Sequence, residues 1–167
     1  VGTAGITYFR DHNGEPVYVF ATRDLSKVSD IGGRIETPPA GYFDDKAMID
    51  SLKTNVGPVT SKLFRENEMR EFEEEIRLPR SRIKSMQLIS LVRIPRNNDF
   101  SVDYAIEVNT SEEELREAFR SSSKYGGEHS GQFFVPEREL EGFITRHRTN
   151  IPPRAKADIT AYLLSRE

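Results

Sequence analysis

Arg70-Glu71-Phe72-Glu73-Glu74-Glu75 concentrates four glutamates within six residues. On a helix, Glu71, Glu74 and Glu75 fall at i, i+3 and i+4, so their carboxylates project from one stripe. Such crowding is unfavourable at pH 7 unless a cation neutralises it. Hard divalent ions such as Mg²⁺ and Mn²⁺ prefer oxygen ligands of this kind. Taken alone, the same cluster also describes a solvated acidic face. Met69, Phe72 and Ile76 recur at helical spacing away from that stripe. The expected helix therefore runs from about Thr60 to Ile76, packs through one face, leaves the carboxylate face free, and is closed by Pro79.

Upstream, residues 3–10 and 16–22 are rich in β-branched and aromatic residues and flank the turn Asp11-His12-Asn13-Gly14, which reads as a hairpin. Ile31 to Glu36 reads as a short strand interrupted by Gly32 and Gly33, where a ligand approaches the backbone closely. Residues 37–43 are a breaker-rich loop and 44–53 a modest helix with Ala47, Met48, Ile49 and Leu52 on its apolar side. Downstream, residues 85–94 and 100–108 read as strands joined by a turn at 95–99. Thr110 or Ser111 caps a helix over 112–121, with Glu113 or Glu114 completing a capping box. A polar loop over 121–131 precedes a strand at Phe133–Val135 and a helical turn at 136–140. The last helix starts near Pro153 and buries Ala155, Ile159, Tyr162 and Leu163. Strands and helices mixed in this order, with hairpin connections, predict an α+β or α/β/α sandwich.

The chain of 167 residues suits one domain. It has no cysteine, so disulfides, thiolate zinc sites and a Cys nucleophile are excluded. A net charge of −3 gives no general attraction to nucleic acid or anionic membrane. No apolar run approaches the roughly 20 residues that span a bilayer, and the first residues carry no secretory pattern. The expectation is a soluble cytoplasmic protein.

Gly32-Gly33-Arg34-Ile35-Glu36, followed by Arg70-Glu71-Phe72-Glu73-Glu74-Glu75-Ile76-Arg77-Leu78, resembles the Nudix hydrolase signature, GX5EX7REUXEEXGU. The core of that signature matches at Arg70, Glu71, Phe72, Glu74 and Glu75, and Leu78 fits its last apolar position. Three departures stand out: residues 37–61 form a long insertion, Lys62 stands at the first Glu position, and Arg77 replaces the glycine.

The resemblance implies a Nudix-like α/β/α sandwich with a central mixed sheet. It also implies hydrolysis of a nucleoside diphosphate linked to another moiety, with Mg²⁺ or Mn²⁺ as cofactor. By similarity, Glu71, Glu74, Glu75 and the carbonyl of Gly32 are the metal ligands, and Arg70 orients the carboxylates. As an ordinary i,i+4 pair with Glu74, Arg70 would contribute only about 0.3–0.5 kcal/mol. Glu128, in the loop before the last strand, is the candidate for a further acid, as ligand or base, or else a solvated carboxylate.

Arg34, beside the glycine pair, and Arg23, at the end of the second strand, are candidates for phosphate contacts, against ordinary surface ion pairs. Tyr8, Tyr104 and Tyr125 are either base-stacking or core residues. His129 reads as a surface or pocket-edge residue, and the three scattered histidines support no Ser/His/Asp arrangement. The basic clusters Arg77, Arg80, Arg82, Lys84 and Arg146, Arg148, Arg154, Lys156 would favour an RNA or cap substrate if they converged. The insertion at 37–61 is the expected place for a specificity lid or a homodimer contact. The alternatives to a small-molecule pyrophosphohydrolase are a nucleotide-binding module without turnover and an RNA-decapping enzyme.

Overall fold

The expected hairpin forms, as β1 (Gly2–Arg10) and β2 (Pro16–Arg23). Its turn is pinned by the Asp11 carboxylate, which accepts from the N–H groups of Asn13 and Glu15, and by Gly14 at φ 80. The computed structural model describes residues 2–24, 33–42, 46, 61–94, 99–121 and 129–166.

β1 and β2 pair only near the turn, Tyr8 to Arg10 against Pro16 to Tyr18, and then diverge. Beyond that point β1 lies parallel to β6 (Asp99–Val108) on one edge and antiparallel to β4 (Ala40–Tyr42) on the other. β2 instead takes β3 (Ile35–Glu36) and β7 (His129–Pro136), both antiparallel. β5 (Ile83–Ile94) completes the order β3-β2-β1-β6-β5, with β4 beside β1 and β7 beside β2.

The sheet is covered on both faces, so alternate side chains along each strand serve different layers. Val102, Tyr104, Ile106 and Val108 of β6 pack under α1 (Ser61–Glu75) and α2 (Glu112–Arg120), with Phe72, Ile76, Leu115 and Phe119. Ile6 and Tyr8 of β1 face the opposite layer, made by α3 (Leu140–Arg146) and α4 (Pro153–Leu164) through Phe143, Ala155, Ile159 and Tyr162. The outcome is the α/β/α sandwich with a mixed sheet that the sequence predicts. No helix among the described residues is long and apolar enough to cross a membrane.

α1 forms because no glycine, proline or β-branched residue interrupts Ser61 to Glu75. Phe72 and Ile76 are fully buried beneath it, each stabilising the layer by about 1.5–3 kcal/mol. α2 begins with the expected capping box, with Ser111 and Glu114 as its two members.

Five expectations are corrected. Residues 40–42 are a strand rather than loop, because their backbone completes the free edge of β1. Residues 129–131 also belong to a strand, since β7 pairs β2 as far as Arg23. α3 continues the turn at 136–140 into a helix that buries Leu140 and Phe143. Leu163 of α4 is exposed, while Asp158 takes the inward position one turn before Tyr162. Finally, Arg77 takes the left-handed conformation of the signature glycine, at φ 65. Its Nη1 donates to the carbonyls of Phe119 and Ser121 at 2.8 and 2.6 Å. Of the helix expected at 44–53 only Lys46 is described, in helical conformation; the 95–98 turn lies outside the described residues.

Arg77 therefore balances a backbone cost against two hydrogen bonds. Arg77→Ala keeps the cost and loses the bonds, so unfolding in urea should show a loss of about 1–2 kcal/mol. Arg77→Gly loses the same bonds but relieves the backbone by about 1 kcal/mol, and should be the less damaging of the two.

Candidate active site

α1 carries six glutamates and sorts them by direction. Glu66 and Glu73 turn outward to Arg80, at 3.3 and 2.7 Å. Glu74 stays half-exposed and pairs with Arg70 Nη1 at 3.2 Å. Glu68, Glu71 and Glu75, at i, i+3 and i+7, point inward and are buried. This corrects the expectation of a free Glu71/Glu74/Glu75 face. β4 lies over the helix there, so two of those three carboxylates are enclosed.

Two glycines leave the space. A Cβ at Gly41 would stand 2.0 Å from the Glu71 carboxyl carbon, and one at Gly5 would stand 2.5 Å from Glu68 Oε1. Glu75 Oε2 accepts the Ala40 N–H at 3.0 Å, and its other oxygen lies 3.4 Å from Arg23 Nη2. Arg23 also donates to Glu36 at 2.7 Å. Arg70 Nη2 donates both to Glu71 Oε1 and, at 3.0 Å, to Asn67 Oδ1. One guanidinium thus ties Asn67, Glu71 and Glu74 together, which is more than an i,i+4 pair.

Glu68 is 0% exposed, and neither of its oxygens has a hydrogen-bond partner. Burial raises its pKa well above the ordinary carboxylate value, and the charges of Glu75 and Glu71 add to that.

On the other side of β4 lies a cavity of about 280 Å³. Arg23, Arg34, Glu36 and Tyr42 line it from the strand side, and Arg154 and Asp158 from α4. Both arginines expected at phosphate reach this cavity. Arg34 is exposed there, whereas Arg23 is buried and held by Glu36 and Glu75. Arg154 donates to Ser101 Oγ at 2.6 Å and to the Thr3 carbonyl at 3.2 Å. Ser101 and Ser90 in turn donate to Asp103 at 2.6 and 2.7 Å. Asp158 is 2% exposed with Oδ1 unpartnered. Burial, then the neighbouring charge of Asp103, pushes its pKa up to about 8, with Arg154 opposing.

Tyr8 and Tyr104 are core residues, not a stacking surface at the cavity. His129 pairs across from Arg23. Burial, with Arg23 and Arg77 nearby, drives its pKa down to about 3, so it is neutral at pH 7. The first basic cluster is engaged: Arg80 with Glu73, Arg82 with Glu114, Lys84 with Glu107, and Arg77 with carbonyls. Lys62 is exposed on α1. Gly32, Glu128 and Tyr125 lie outside the described residues.

As they stand, no three acidic or histidine side chains among the described residues share a point that would hold an ion. Arg70 draws Glu74 outward, and the Ala40 N–H and Arg23 engage Glu75. The donor chemistry nevertheless suits a hard divalent ion: carboxylate oxygens only, the Glu68 pair unpartnered, and glycine clearance at both strands. Reading the sequence for the signature alone misses Glu68 and Asp158. The signal for each is spacing. Glu68 shares the stripe of Glu71 and Glu75, and Asp158 interrupts the apolar stripe of Ala155, Ile159 and Tyr162.

Neither protein-family models nor curated proteins give a match to this chain. Solved structures do. The Nudix hydrolase of Alicyclobacillus acidocaldarius superimposes with TM-score 0.57 at 9% identity, covering 92% of this chain and 86% of that one. The Ap4A hydrolase of C. elegans gives 0.53 at 10%, covering 99% and 97%. The C-terminal domain of mouse MUTYH, solved with human PCNA, gives 0.58 at 11%, covering 99% and 88%. The chain has the fold of the Nudix hydrolases.

Asp158 makes stability depend on pH with a definite sign. The folded carboxyl keeps its proton up to about 8, whereas an ordinary aspartate releases it near 3.8. The folded state therefore binds the extra proton between these values, and stability falls as pH rises through that window. Urea unfolding at pH 5 and pH 8 should show this loss in the wild type, and Asp158→Asn should reduce it and be the more stable protein at pH 8.

Proposed function

We propose that this protein is a divalent-metal-dependent pyrophosphohydrolase acting on a nucleoside diphosphate linked to another moiety. One observation carries the reading: Glu71 and Glu75 are buried against β4, on whose far side an arginine-lined cavity opens. The fold shared with an enzyme named for hydrolysing Ap4A supports it.

Glu71, Glu74 and Glu75 would hold the metal, with the carbonyl of Gly32 and the carboxylate of Glu128 as further oxygen donors. The chemistry a bound Mg²⁺ or Mn²⁺ supplies is charge neutralisation on the pyrophosphate and a lower pKa for an attacking water. Arg70 holds Glu71 and Glu74 in mutual register, and the Ala40 N–H fixes Glu75. Arg34, exposed at the cavity and without an ion pair among the described residues, would bind a phosphate of the substrate. Arg23 sits between Glu75 and the cavity and would link the carboxylates to the bound phosphates.

A module that binds a nucleotide without cleaving it is the second reading. It is favoured by the splay of the described carboxylates. An RNA substrate has less support, since the first basic cluster is engaged in ion pairs and carbonyl contacts.

Hydrolysis of a panel of nucleoside diphosphate derivatives should require Mg²⁺ or Mn²⁺ and stop with a chelator. Glu71→Gln and Glu75→Gln should each lower kcat by at least on the order of 10²-fold. The outward Glu66→Gln should leave it unchanged. Saturable nucleotide binding without turnover, in the presence of metal, would select the second reading.

A further inference from the structure

Glu68 is the buried ionisable group of α1 that the signature does not use. It is fully enclosed, both carboxylate oxygens lack a partner, and its Oε1 presses on β1 where only glycine fits. The Thr3 hydroxyl accepts from Asn67 Nδ2 at 2.8 Å and keeps its own O–H as the donor nearest Glu68, although it does not complete a hydrogen bond there. The charged groups that face it are Glu71 and Glu75, which repel it, and Arg154, which attracts it. An unpartnered carboxylate beside two others opposes folding. An apolar side chain of similar length, such as methionine, would fill the same volume without that cost. Meanwhile Lys62, one signature position that calls for a carboxylate, is a cation pointing to solvent.

We infer that Glu68 is a further metal-binding carboxylate of this site, giving the divalent ion an oxygen donor from the stripe of Glu71 and Glu75 that Lys62 cannot give. The inference rests on the metal-dependent reading proposed above and adds a residue to it. It makes two quantities move in opposite directions. Removing the carboxylate weakens metal binding while relieving the metal-free protein, whereas a merely structural residue would lower stability and leave metal affinity alone.

Calorimetric titration with MnCl₂ and urea unfolding in chelator test this on the wild type, Glu68→Gln and Glu68→Met. The expected result is Mn²⁺ binding by the wild type, weakened on the order of tenfold or more in both variants. In chelator, both variants should be at least as stable as the wild type, and Glu68→Asp should retain part of the Mn²⁺ affinity. Wild-type affinity in the Gln and Met variants would overturn the role of Glu68 and leave the metal-dependent reading standing. Lower stability of both in chelator would likewise overturn it in favour of a structural role. A wild type that binds no Mn²⁺ would overturn the metal-dependent reading itself, and this inference with it.

Discussion

The three inward carboxylates of α1 lie where a helix meets a sheet, beside the apolar packing of Phe72 and Ile76. Phe72 and Ile76 drive α1 onto the sheet, and the same packing carries Glu68, Glu71 and Glu75 inside. Burial of that charge is tolerated because the surrounding backbone is adapted to it. Gly5 and Gly41 withdraw their side chains, the Ala40 N–H and Arg23 engage Glu75, and Arg70 reaches over to Glu71. Glu68 has the room left by Gly5 but, unlike the other two, no hydrogen bond. The apolar layer and the acidic stripe are thus two faces of one helix, and neither can be moved without the other.

β4 connects this stripe to the cavity. Its backbone donates to Glu75, its glycine makes room for Glu71, and its far side forms a wall with Arg34, Arg154 and Asp158. The strand is three residues long and is held by β1 on one edge. Arg23 links the two sides, lining the cavity while its Nη2 lies 3.4 Å from Glu75 Oε1. Buried carboxylates on one face and the arginine-lined cavity on the other give this short strand its importance.

Much of this was legible in the sequence. Alternating β-branched and aromatic residues located the hairpin and the long strands, and the spacing of Phe72 and Ile76 fixed which way α1 faces. The signature located Glu71, Glu74 and Glu75 along the chain. What escaped was whatever depends on tertiary pairing. Ala40-Gly41-Tyr42 is too short and too rich in small residues to announce a strand, and it becomes one only against the edge of β1. Whether a carboxylate stripe faces water or a strand cannot be read from helical period, so the free face expected at Glu71 and Glu75 proved enclosed. Arg77 misled for a similar reason: local preference disfavours arginine in a left-handed conformation, but the carbonyls of Phe119 and Ser121, more than 40 residues away, hold it there.

The inward acidic stripe is proposed above as a divalent cation site. A cation that binds the folded chain and not the unfolded one raises stability by mass action, so the most direct measurement is the melting temperature of the wild type at fixed ionic strength. Millimolar Mn²⁺ or Mg²⁺ should raise it by several degrees over NaCl and chelator, saturably and at the cost of no other change in conditions. An identical melting temperature in all of these salts would contradict the account.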